Sequence, residues 1–131
     1  MIVILGLFAL RISYTDLKYR KIRNPDLALL AIYILLVTSD IQWRSLLIFA
    51  LLLIVFVLKF PKYLGMGDVK LIIALFPLAL EDGAFLNWQL WSWTLGGIYV
   101  LALRIFRRSV GLHIPFAPFL FLGFFLAIHP N

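Results

Sequence analysis

Apolar residues fall into six runs, over residues 2–14, 26–38, 43–58, 69–80, 87–103 and 115–128, separated by short polar stretches. The pattern predicts an all-α chain: a polytopic membrane protein built as a bundle of about six transmembrane helices. Several runs are shorter than the ~20 residues that a perpendicular helix needs to cross a bilayer. As a helix, 26–38 would cover only ~20 Å. Either the bilayer thins around the protein or the helices extend past their strictly apolar stretches. The alternative is four spans, with two short segments re-entrant or interfacial.

Local signals mark some boundaries. Asn24-Pro25-Asp26 reads as a helix start, with Asn24 able to cap and Pro25 suited to the first turn. Trp88, Trp91, Trp93 and Tyr99 in the fifth run include candidate interface anchors. Gly96-Gly97 there would admit a neighbouring helix closely. Run 1–10 lacks a preceding basic residue and a small-residue cleavage site, and is expected to be a retained span rather than a signal peptide.

Composition agrees with a membrane setting. The 131 residues are 64% hydrophobic and only 14% charged, and one domain is expected. The absence of cysteine excludes disulfides and cysteine-ligated zinc. The net charge of +6 resides in short inter-helix stretches, which points to membrane orientation rather than nucleic-acid binding. With six alternating spans, 11 of the 12 basic residues fall on one side; Arg44 is the exception. That side is expected to be cytoplasmic, with both termini outside.

Two carboxylates stand out. Asp16 follows the first apolar run, and Asp68 precedes the fourth, behind Gly65-Met66-Gly67. Alternating spans put both on the cytoplasmic face. Ionisable groups in a membrane helix bundle are functional candidates by default. Two nearby carboxylates share a proton, so one can activate water while the other donates to a carbonyl oxygen. Gly65 and Gly67 are expected to adopt backbone angles other residues avoid and to leave room for a substrate strand. Lys70 is placed to reinforce the charge of Asp68 or to bind a lipid phosphate.

Plainer roles compete. Asp68 would serve as a helix N-cap, Asp16 as an interfacial partner of Lys18 or Arg20, and Asp26 as first-turn dipole compensation. Glu81 and Asp82 read as solvated loop charges. His113 and His129 lack a second ligand at a metal spacing, which leaves a zinc protease without support. Ser13, Ser39, Ser45, Ser92 and Ser109 include no Gly-x-Ser-x-Gly context.

Three stretches resemble one family in order. Gly65-Met66-Gly67-Asp68-Val69-Lys70-Leu71 resembles the Gly-x-Gly-Asp-x-Lys-Leu motif of the type IV prepilin peptidases. Residues 16–24, with Asp16 followed by basic residues and Ile22-Arg23-Asn24, resemble that family's first motif. Ile114-Pro115-Phe116-Ala117-Pro118-Phe119 resembles its late Ile-Pro-Phe-Gly-Pro-Phe segment. Arg23 stands where the family has proline, and Ala117 where it has glycine.

The resemblance implies a membrane aspartic endopeptidase of the prokaryotic cytoplasmic membrane. It would remove basic leader peptides from pilin, pseudopilin or archaellin-type precursors, with Asp16 and Asp68 catalytic. Gly65, Gly67, Lys70, Asn24, Pro115, Phe116 and Pro118 are the supporting motif residues. Many relatives carry a cysteine-rich zinc loop and methylate the new N-terminus; this chain has no cysteines, so peptidase activity without methylation, metal or cofactor is expected. The short form resembles peptidases of tight-adherence pilus systems or archaeal preflagellin peptidases. Expected partners are prepilin-like substrates and membrane lipids. The rival is a non-enzymatic membrane assembly factor or a small transporter subunit, although no repeated half-sequence is visible.

Overall fold

A computed structural model describes residues 1–38, 41–59, 65–81, 83–106 and 114–128. Asp40, Lys62, Asp82, Arg107, Arg108, His113, His129, Ser39 and Ser109 lie outside the described residues, as does the side chain of Glu81. Six helices follow one another: α1 (Ile2–Tyr19), α2 (Asn24–Val37), α3 (Trp43–Lys59), α4 (Met66–Glu81), α5 (Phe85–Ile105) and α6 (Ala117–Ile128). The six apolar runs are therefore six helices, and the fold is all-α.

α1, α4 and α5 extend past their apolar runs, whereas α6 starts two residues later than its run. The first acceptor of α6 is the Phe116 carbonyl, which takes the amides of Phe119 and Leu120, so Ala117 is the first helical residue. Among the described residues no helix is long and apolar enough to cross a membrane. The charges Arg11, Asp16 and Lys18 interrupt α1, and α6 has only 12 residues.

α4 lies at the centre. Val69, Leu71, Ile72, Leu75, Phe76, Leu78 and Ala79 are all buried, and together they cover about half of its circumference. It packs against α2, α3, α5 and α6. α5 and α6 form the most extensive pair. There Gly123 lies against the backbone of Ser92: a β-carbon on Gly123 would come within 2.6 Å of the Ser92 nitrogen. Trp88 was a candidate interface anchor in the sequence; it is instead fully buried, donating to the Leu120 carbonyl at 2.8 Å and meeting Phe124 edge-on. Trp91 and Trp93 remain exposed. Phe49 stacks on Phe76 at 4.2 Å, and Phe85 closes on both edge-to-face, joining α3, α4 and α5.

α3 is different. Val57 is its one buried residue, while Leu47, Ile48, Leu51, Leu52, Val55 and Leu58 are exposed. A helix apolar on all sides and exposed on most of them is unlike the surface helix of a globular domain, which keeps a polar outer face.

Candidate active site

The site gathers at one end of the bundle, where α1 finishes and α2, α4 and α6 begin. α1 ends at Arg20, which takes left-handed backbone angles (φ 51°) usually left to glycine. The turn lets Ile22 fold inward, where it is buried. Ile22 covers Gly67: a β-carbon on Gly67 would sit 3.2 Å from the Ile22 β-carbon. Lys70, one turn further into α4, donates to Asn24 Oδ1 at 3.1 Å. The first and second motifs thus touch twice.

The third motif reaches the first through one bond. Ala117 opens α6, and its backbone N–H donates to Asp16 Oδ2 at 3.0 Å, across 101 residues. Asp16 is buried. Two prolines frame this start: Pro115 precedes the helix, and Pro118 occupies its first turn, where an N–H is not needed. Phe116 fixes the approach from the other side. Its ring fills the space left by Gly96 on α5, where a β-carbon would come within 2.6 Å, and it packs against Trp93 at 4.9 Å. Of the two glycines in that pair, Gly96 is the one approached closely; Gly97 faces open space.

Asp16 and Asp68 both lie beyond the ends of the apolar runs 2–14 and 69–80. Asp68 sits in the first turn of α4, three residues past the N-cap position, which Gly65 holds, and is turned back toward Gly65. Burial pushes the Asp68 carboxyl up to about 7, the charge of Asp16 pushes in the same direction, and the Gly65 backbone amide opposes both. Asp16 is raised by burial and held back by the Ala117 amide. The two carboxyls therefore feel each other and favour a state with one proton between them.

Several sequence expectations change. Neither Gly65 nor Gly67 has a positive φ; among the described glycines only Gly83 does. Space, rather than torsional freedom, is what they provide. At Gly65 a β-carbon would stand 3.2 Å from Asp68 Oδ2, and the gap at Gly67 is taken by Ile22 rather than left open. Lys18 turns to the Tyr14 hydroxyl at 3.3 Å instead of pairing with Asp16. Lys70 is engaged by Asn24. Asn24 is the first residue of α2, and no side chain caps that helix. Asp26 does lie in the first turn of α2, and it is also buried in an ion pair with Arg11 at 3.0 Å. Sequence reading missed Ile22, the Ala117 amide and Gly123. A glycine inside an apolar run was the only signal for Gly123; Ile22 and Ala117 lie within two of the motif stretches, but nothing there marks the contacts they make.

No protein-family model, curated protein or solved structure matches this chain.

Proposed function

We propose that this chain is a membrane aspartic endopeptidase that removes basic leader peptides from prepilin-like precursors. The observation that carries the reading is the convergence of all three motifs at one end of the bundle, through the Ala117 amide on Asp16, Lys70 on Asn24 and Ile22 against Gly67 beside Asp68. In the working state one carboxylate takes a proton from water as the water oxygen bonds to the scissile carbonyl carbon. The protonated partner gives its proton to the carbonyl oxygen, forming a gem-diol. Collapse reverses the roles: the leaving nitrogen receives the first proton, and a diol hydroxyl returns the second. No metal, cofactor or methyl donor enters.

Membrane embedding belongs to the same proposal. Its support is the apolar exterior, α3 above all, which water would not tolerate over such an area. At ~1.5 Å per residue, most of the helices are shorter than the ~30 Å hydrocarbon core, so the bilayer thins around them at a fraction of a kcal/mol per Å. Exposed Lys18, Arg20, Lys21 and Arg23 share the end that holds the two aspartates, which supports a cytoplasmic position for that end. A basic leader would be gathered there by anionic headgroups, at ~1 kcal/mol per basic residue.

The direct test incubates the purified chain in lipid with a prepilin-type precursor, then sequences the new N-terminus. Cleavage immediately before the hydrophobic segment supports the reading. An intact precursor, under conditions in which the chain is folded, contradicts it.

A further inference from the structure

The outward face of α1 is ordered along its length. Val3, Leu7, Leu10, Arg11, Tyr14 and Lys18 fall within an arc of about 100° on the helix, and all of them are exposed. Val3, Leu7 and Leu10 lie toward the start of α1. Arg11, Tyr14 and Lys18 follow, toward the end that holds Asp16.

The polar part is a cluster with donors to spare. Arg11 meets buried Asp26 through Nε at 3.0 Å, yet the Arg11 side chain is 62% exposed. Asp26 Oδ2 takes no hydrogen bond, so the pair is one-sided, and a single carboxylate oxygen cannot occupy every N–H of a guanidinium. Lys18 folds back along the helix toward Arg11. Its Nζ donates to the Tyr14 hydroxyl at 3.3 Å and lies 5.6 Å from the centre of that ring. The hydroxyl accepts there, so its own proton is open to a further acceptor. Arg11 and Asp26 neutralise each other, which leaves the charge of Lys18 uncompensated.

We propose that this face of α1 holds one anionic phospholipid, with its phosphodiester among Arg11, Tyr14 and Lys18 and its acyl chains along Leu10, Leu7 and Val3. The inference rests on the membrane reading and not on the peptidase chemistry. A phosphodiester brings the negative charge that balances Lys18, and a guanidinium can donate to two of its oxygens at once. From Arg11 back to Val3 is ~12 Å of helix, near half of a ~30 Å hydrocarbon core, so headgroup and chains fall on matching parts of the face. Arg11 also lies ~12 Å short of the end of α1, and an exposed guanidinium at that depth is costly without an anion. A phosphate drawn to it thins the bilayer at α1.

The test reads the retained lipid by native mass spectrometry, after release from nanodiscs of equal dioleoyl phosphatidylglycerol and dioleoyl phosphatidylcholine. One phosphatidylglycerol should stay with each unsubstituted chain in preference to phosphatidylcholine. Tyr14→Phe removes a hydroxyl and no charge, and Lys18→Gln removes the uncompensated charge; each should cut the preference about fivefold. Arg11→Lys leaves Asp26 a cation but loses the planar fork, and should cut it likewise. Lys21→Gln removes an exposed charge at the same end and should leave the preference unchanged. Soluble glycerol 3-phosphate, which has no acyl chains, should not displace the lipid.

No preference in the unsubstituted chain overturns the proposal, and this result needs no variant to fold. Full preference in folded Tyr14→Phe and Lys18→Gln overturns it equally. Equal losses in Lys18→Gln and Lys21→Gln would show diffuse attraction instead of a site. Displacement by glycerol 3-phosphate would reduce the site to one for free phosphate, and a dimer that dissociates in Lys18→Gln would give the face to a second copy; either contradicts the lipid. A chain that fails to float with phospholipid vesicles would sink the membrane reading and this site with it, whereas a floating chain without lipid preference sinks the site alone.

Discussion

Lys70 donates through Nζ to Asn24 Oδ1 at 3.1 Å, tying the first turn of α4 to the first residue of α2 across 46 positions. The bond spans the loop that carries Ile22 onto Gly67, so it fixes the floor beside Asp68.

Removing either partner should loosen that floor. Lys70→Met and Asn24→Leu are each expected to lower kcat/KM about fivefold, the equivalent of ~1 kcal/mol for a partly exposed hydrogen bond. The double variant should be no worse than the poorer single one, because both remove the same contact. Multiplying losses in a double-mutant cycle would show that the two residues act separately.

Gly67 is a question of space. Gly67→Ala places one carbon 3.2 Å from Ile22 and should be tolerated with a small shift of that side chain. Gly67→Val adds two further methyl groups against Ile22 and should abolish cleavage while the helical content, read by circular dichroism, stays intact. Pairing it with Ile22→Ala, which vacates the volume, should restore part of the activity. Failure of Ile22→Ala to rescue Gly67→Val would argue that position 67 touches substrate rather than Ile22.

Stability should depend on which glycine changes. Gly123→Ala drives a β-carbon into the Ser92 backbone, which cannot rotate aside; a loss of ~1–3 kcal/mol is expected for such overpacking. Gly97→Ala enters open space within α5 and should gain ~0.5–1 kcal/mol, as alanine does over glycine in a helix interior. Thermal unfolding in detergent compares the two, and equal midpoints would contradict this packing of α5 on α6.

The six helices were legible in the sequence because apolar runs are local patterns. So were the two aspartates, since charge in an apolar chain is conspicuous. The contacts that build the site were not. Ile22 on Gly67, Phe116 on Gly96 and the Ala117 amide on Asp16 each join segments distant in sequence, and none leaves a periodic trace. The reason for the glycines was also misread: Gly-x-Gly suggests torsional freedom, yet at Gly65 and Gly67 the backbone is ordinary and the missing β-carbon is what counts.

The pH dependence follows from the carboxyl that keeps its proton. Asp68 is raised to about 7, so its acid form persists through the weakly acidic range and is lost as pH rises through that value. Cleavage needs that form, together with ionised Asp16. The rate should therefore decline above pH 7, and decline again in acid where Asp16 takes up a proton. A kcat/KM profile that climbs through pH 8 would exclude Asp68 as the proton donor.

The shared role of Asp16 and Asp68 is tested most directly by precursor processing in substituted chains. Asp16→Asn, Asp68→Asn and the double variant are co-expressed with a prepilin-type precursor, and the mature product is quantified after confirming equal membrane levels. Each single substitution is predicted to reduce processing by at least ~10³-fold, with the double variant no lower, because the pair works as a unit. Near-normal processing by either single variant would contradict the account.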